Sequence, residues 1–149
     1  VEPDGRVDRD LTDVLHAHES FQAMLDDAAD AAQHLAGNPT SYTAGAHCTT
    51  AWKFVFAYAL PHLEHEDTKE FPALERAGAP PEAIYLLGED HRVLRELAAR
   101  LAVAGLRPGA DALSEEASGL LVRFLRMFDW HIAREEQMLR DVVTELSAR

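Results

Sequence analysis

Two histidine–glutamate pairs, His62 with Glu66 and His131 with Glu135, repeat one four-residue spacing in distant parts of the chain. Residues at i and i+4 share a helix face with side chains about 5–6 Å apart. Each pair therefore aims an imidazole and a carboxylate into one space. Two further histidines lie on apolar stripes: His18 between Leu11, Leu15 and Leu25, and His91 between Ile84, Leu87, Leu94 and Ala98. Any one of them alone reads more often as a satisfied core histidine; one on the apolar stripe of every helix is a stronger pattern. A lone buried glutamate is costly, and a metal cation neutralises it. Four imidazoles and two carboxylates exceed the needs of one tetrahedral zinc and suit two cations bridged by Glu66 and Glu135. Nitrogen and oxygen donors without thiolate favour two iron ions, oxo- or hydroxo-bridged, with manganese or zinc as possible substitutes.

The elements that must position these groups follow from the punctuation. Gly37-Asn38-Pro39, Gly78-Ala79-Pro80-Pro81 and Gly105-Leu106-Arg107-Pro108-Gly109 separate four long runs, about 11–36, 46–74, 81–104 and 110–147. Each run has helical periodicity. The first stripe is Leu11, Val14, Leu15, Phe21, Leu25, Ala28, Ala32 and Leu35; the second is Trp52, Val55, Ala59 and Leu63. Ile84, Leu87, Leu94, Ala98 and Leu101 form the third, and Leu120, Phe124, Met127, Phe128, Met138 and Val142 the fourth. Pro61 predicts a kink and Phe71-Pro72 a break in the second run. Four amphipathic runs joined by short loops predict an all-α, antiparallel up-down four-helix bundle in a single domain over 1–149. At 1.5 Å per residue, His18 stands ~10 Å from its helix start, His62 ~14–18 Å from its helix end and His91 ~15 Å from its start. Three helices thus meet at one level, and the fourth must overhang for His131 to join them.

The balance of the chain narrows the function classes. Its 149 residues carry 26 Asp and Glu against 14 Lys and Arg, for a net charge of -12. That charge argues against nucleic acid and anionic membranes as partners. No run approaches about 18 uninterrupted apolar residues, so no membrane span is expected. Val1-Glu2-Pro3-Asp4-Gly5 does not read as a signal peptide. The single cysteine, Cys48, permits no intrachain disulfide, and a cytoplasmic location is the expectation. Cys48 reads as a small buried residue. The remaining histidines are set aside on geometry. His16 points away from His18, His34 lies near the last carbonyls of its helix, and His47 is ~22 Å along a helix from His62. His65 reads as surface or as a supporting residue outside the cluster. Glu64, Asp67 and Glu70 read as a solvated acidic face. The two ExxH motifs of ferritin-like diiron bundles are absent.

In order along the chain, the elements are His18, then His62 to Glu66, then His91, then His131 to Glu135. Asp13-Val14-Leu15-His16-Ala17 leads to the first, Phe71-Pro72-Ala73-Leu74 follows the second, and Glu89-Asp90 precedes the third. In this the sequence resembles the hemerythrin-like, HHE-type cation-binding domains over essentially its whole length. The resemblance implies a hemerythrin-like fold with His18, His62, Glu66, His91, His131 and Glu135 as metal ligands. It departs from the oxygen-carrying hemerythrins at two positions. Arg95 stands where they place a second histidine on helix three, and Glu136, the alternative to Glu135, stands where they place a bridging aspartate. One nitrogen ligand is therefore missing, and Tyr58, one turn before His62, is a candidate for the gap as well as an ordinary rim or core aromatic.

Three functions stay open at this level. The first is a non-haem diiron protein that binds dioxygen, peroxide or nitric oxide, in oxygen binding or in an iron or redox response. The second is a diiron oxidoreductase consuming peroxide or nitric oxide. The third is a metal-free structural or interaction bundle.

Overall fold

The computed structural model of the chain describes residues 3–38 and 41–148, with side chains described over 12–38, 41–145 and 148. Val1, Glu2, Pro39 and the side chain of Leu11 lie outside that range. Among the described residues there are four long helices and no strand: α1 (Pro3–Gly37), α2 (44–76), α3 (Pro81–Val103) and α4 (Glu115–Ser147). They pack as an antiparallel bundle in which each helix lies against its chain neighbours and α4 closes back on α1.

Glycine and proline set the ends. Gly78 (φ 104°) and Gly105 (φ 98°) adopt the left-handed backbone that stops α2 and α3. In each case the next amide reaches back five residues, Ala79 N to Leu74 O at 2.9 Å and Leu106 N to Leu101 O at 3.1 Å. The glycine amide itself bonds three residues back, completing a Schellman motif. Pro81 opens α3, where its missing N–H costs nothing. Ser114 caps α4, its Oγ accepting from Ala117 N at 3.1 Å.

The second helix departs from expectation at its prolines. It does not break at Phe71-Pro72. It runs on to Arg76, through two wide π-helical turns at Lys53–Ala59 and Glu66–Glu70. Leu60 N–H closes the first on Val55 O, and Phe71 N–H closes the second on Glu66 O, five residues back in each case. Pro61 and Pro72 come immediately after these closing residues. A proline ring crowds the preceding turn and offers no donor to it, and widening that turn accommodates the ring without ending the helix.

Two apolar clusters bracket the middle of the bundle. The larger holds Leu25, Ala28, Leu35, Val55, Leu63, Leu94, Leu101, Leu121, Phe124 and Phe128, with Leu106, Ala110 and Leu113 of the α3–α4 loop folded in. That loop packing delays α4 to Glu115, beyond the expected start near 110. The smaller cluster holds Val14, Phe71, Ala79, Ile84, Leu87, Met138, Leu139 and Val142. Its α4 residues are the expected overhang and share this cluster with Val14 of α1.

A buried histidine–glutamate centre between the two cores

Between these clusters lies a layer of buried ionisable groups: His18, His62, Glu66, Asp90, His91, His131 and Glu135. All four helices contribute. Donor atoms of His18, His62, Glu66 and Glu135 lie within 4.8 Å of one another, as do those of Glu66, His91 and His131. Glu66 belongs to both groups. Its Oε1 is 3.2 Å from His62 Nε2, 3.4 Å from His91 Nε2 and 3.5 Å from His131 Nε2. Glu135 faces it, with Oε1 3.6 Å from His18 Nε2 and Oε2 3.4 Å from His131 Nε2. The structure thus brings together all six residues singled out from the sequence.

Residues 9–143 match the family described as hemerythrin, HHE cation binding domain. The chain belongs to this hemerythrin HHE family. Comparison with curated proteins and with solved structures finds no match.

Three imidazoles of this HHE centre are oriented from outside by a carboxylate, and each carboxylate is held in turn by an arginine. His131 Nδ1 donates to Asp90 Oδ2 at 3.1 Å, and Arg134 donates to Asp90 Oδ1 at 3.1 Å. His91 Nδ1 donates to Asp67 Oδ1 at 2.8 Å, with Arg95 on the other Asp67 oxygen. His18 Nδ1 donates to Glu136 at 3.1 Å, and Arg140 stands 3.8 Å from Glu136. Such contacts fix the ring tautomer and turn the Nε2 lone pair inward. The fourth imidazole, His62, is set by packing instead: the Phe21 ring lies 4.5 Å from it and the Phe128 ring 6.5 Å. Phe71 stacks on His91 at 5.0 Å.

The inward atoms are short of partners. His18 Nε2, His62 Nε2, Glu66 Oε2 and both Glu135 oxygens are buried without a hydrogen bond. Five such atoms converging in one buried layer would cost several kcal/mol if left uncompensated. Nitrogen and carboxylate donors facing a common space are what an iron, manganese or zinc ion requires, so the residues present fit a cation centre.

The charges divide unevenly. Burial pushes Glu66 up, but the adjacent Glu135 carboxyl and the His131, His62 and His91 imidazoles favour its charged form and hold it well below the usual carboxylate range. Glu135 is pushed up, by burial and then by the Glu66 charge. Burial disfavours the charged form of His131, yet Asp90, Glu135 and Glu66 outweigh it and raise the imidazole to about 11. His18 is likewise raised against burial, by Glu135 and Glu136.

Other sequence expectations fare variously. Glu136 stands outside the cluster as the acceptor for His18, with Glu135 in the interior position. Arg95 points away from the centre, onto Asp67 and Glu64. Tyr58 is 42% exposed and sits on the rim. Its i,i+4 relation to His62 presumes α geometry, which the wide turn ending at Ala59 breaks. His16 and His65 are exposed. His34 bonds the Asp30 carbonyl one turn back, not the last carbonyls of α1, and stacks on His47 at 4.8 Å. Cys48 is fully buried, which pushes its thiol up.

The solvated acidic face is only partly so. Glu64 is exposed, but Asp67 holds His91, and Glu70 has one oxygen buried. Asp90 and Phe71 were legible only as flanking matches to the family pattern, and Glu70 only as a member of the acidic run after His62.

Proposed function

We propose that this bundle holds two cations, iron by preference, between its four imidazoles and two glutamates, and binds dioxygen or a related small molecule such as peroxide or nitric oxide there. The observation that carries the reading is the convergence of partnerless, buried His18 Nε2, His62 Nε2, Glu66 Oε2 and Glu135 oxygens from three helices. His18 and His62 would hold one cation and His91 and His131 the other, with Glu66 and Glu135 shared between them. A bound iron pair supplies redox chemistry and open coordination sites for a small ligand. The chain does the rest. Asp90, Asp67 and Glu136 keep three imidazoles aimed inward. Phe21, Phe71, Phe124, Phe128 and Leu94 limit water around the centre. With Arg95 in place of a second histidine on α3, one coordination position would be open to an exogenous molecule.

Anaerobic loading with Fe(II), metal analysis and a visible spectrum after exposure to air test the reading. Two iron ions per chain are expected, with loss of at least one in His62→Ala. A chain that takes up no iron, manganese or zinc returns the protein to the metal-free structural reading, against which the buried partnerless carboxylates already speak. The peroxide- or nitric-oxide-consuming alternative uses the same centre, with the position left by the missing nitrogen donor open to the substrate. Sustained peroxide consumption by the loaded protein, absent in His62→Ala, would favour that alternative over a reversible binder.

A further inference from the structure

Glu70 lies at the far end of the second wide turn of α2, four residues beyond Glu66 and eight after His62. Its two oxygens have different surroundings. Oε1 is 3.5 Å from Nε2 of the exposed His65. Oε2 is buried and has no hydrogen-bond partner. The charged groups that act on it most strongly are Glu66, Glu135, His62 and His18, the members of one of the two clusters. The neighbouring acids differ: Asp67 is engaged with His91 and Arg95, and Glu64 is largely exposed beside Arg95. Glu70 is therefore the acid of this run that keeps an unengaged, buried oxygen beside the charges of the His18–His62 cluster. A third carboxylate beside two buried ones is repelled by both, and a solvated glutamate would turn both oxygens outward.

We propose that Glu70 is a further protein ligand of the centre, an oxygen donor to a divalent cation held at the His18–His62 end, with His65 steadying its outer oxygen. The inference rests on the metal-centre reading and goes one residue beyond it. It assigns the two ends different donor sets: a carboxylate-richer one at His18–His62 and an imidazole pair with shared glutamates at His91–His131. The carboxylate-richer end is the harder site, so Zn(II) should have a smaller advantage over Mn(II) and Fe(II) there than at the His91–His131 end.

The test compares full-length wild type, Glu70→Gln, Glu70→Leu and His65→Ala, each first freed of metal and checked by circular dichroism. Co(II) and Fe(II) are then titrated in competition with a chelator, and the Co(II) visible spectrum is recorded at each equivalent. Wild type is expected to take up two ions. Both Glu70 variants should hold one of them at least about tenfold more weakly, with a changed Co(II) band for that ion alone, and His65→Ala should lose only a few-fold. Glu70→Gln keeps the shape of the side chain and decides the matter if Glu70→Leu misfolds. Two ions bound with unchanged affinity and spectrum in Glu70→Gln overturn the assignment while leaving the metal centre intact. Wild type that binds no ion overturns both.

Discussion

Nε2 of His91 and Nε2 of His131 face each other at 3.0 Å, while the other nitrogen of each ring is taken by its own aspartate. Asp67 and Asp90 fix the Nδ1 protons outward, so a single proton between the Nε2 atoms joins the rings in the metal-free chain. The charge environment places it on His131, which is raised to about 11 by Asp90, Glu135 and Glu66 against the pull of burial. Both rings cannot donate to cations until that proton leaves.

Metal uptake should therefore release protons and tighten as pH rises. Calorimetric titration in two buffers of different ionisation enthalpy measures the number released, and a value near zero at pH 7 contradicts the arrangement. The stability of the metal-free chain runs the other way. His131 binds its proton more tightly folded than unfolded, so its contribution is full below the ordinary histidine value near 6.5 and is lost as pH climbs through about 11. Between those values its share of the stability falls by up to about 1.4 kcal/mol per pH unit, which urea unfolding at pH 6.5 and pH 9 would detect.

Replacing Asp90 by Ala strands both His131 Nδ1 and Arg134. Breaking a buried, charge-assisted set of this kind costs about 3 kcal/mol, which lowers Tm by roughly 6–12 °C in a chain of this size. Cation affinity should drop about 10–100-fold through loss of the orienting contact. Thermal unfolding and chelator competition read the two effects separately, and unchanged affinity in a folded variant would show that Asp90 does not set the ring.

Loading the centre should stabilise the fold. With free metal at a thousand times its Kd, linkage gives about 4 kcal/mol, or roughly 8–16 °C in Tm. Scanning calorimetry with Fe(II) under nitrogen, then after chelation, is the measurement. The gain should vanish in a His18→Ala, Glu135→Ala double variant.

Glu70 carries a stability cost when no cation is present. Burial, then the Glu66 and Glu135 charges, push its carboxyl up to about 7. The folded chain holds this proton more tightly than the unfolded one, so the favourable term is present below about 4.5 and is lost as pH rises through about 7. Above that, Glu70→Leu should be the more stable metal-free protein by about 1 kcal/mol, solvent at the outer oxygen limiting the gain. At pH 4.5 the two should unfold nearly together. Denaturant midpoints at pH 4.5 and pH 8 decide it.

The bundle and the inward residues were legible because both rest on periodicity, which tertiary packing preserved. Leu94, Ala98 and Leu101 are buried where a regular helix puts them, and His91 lies on the same face. What escaped the sequence lies where α geometry gives way or where partners come from distant helices. Glu66 and Phe71 are both buried although five residues apart. In a regular helix they would diverge by about 140°, and the wide turn between them brings them to one face. The arginine supports of Asp67, Asp90 and Glu136 involve long side chains on half-exposed surfaces, to which hydrophobic spacing is blind. The rim reading of Tyr58 is the one its 42% exposure fits, and the wide turn ending at Ala59 lies between it and His62.

The two wide turns of α2 each amount to one residue spliced into an otherwise regular rod. They uncouple three stretches of a single helix, so that the segment carrying His62 and Glu66 can keep its angular setting while the flanking stretches are rephased. Regularising the second wide turn at its present length would swing Phe71 away from His91 and open the lid over that end of the centre, whereas deleting Thr68 would leave Glu66 and Phe71 four residues apart in a regular helix and keep the lid in place.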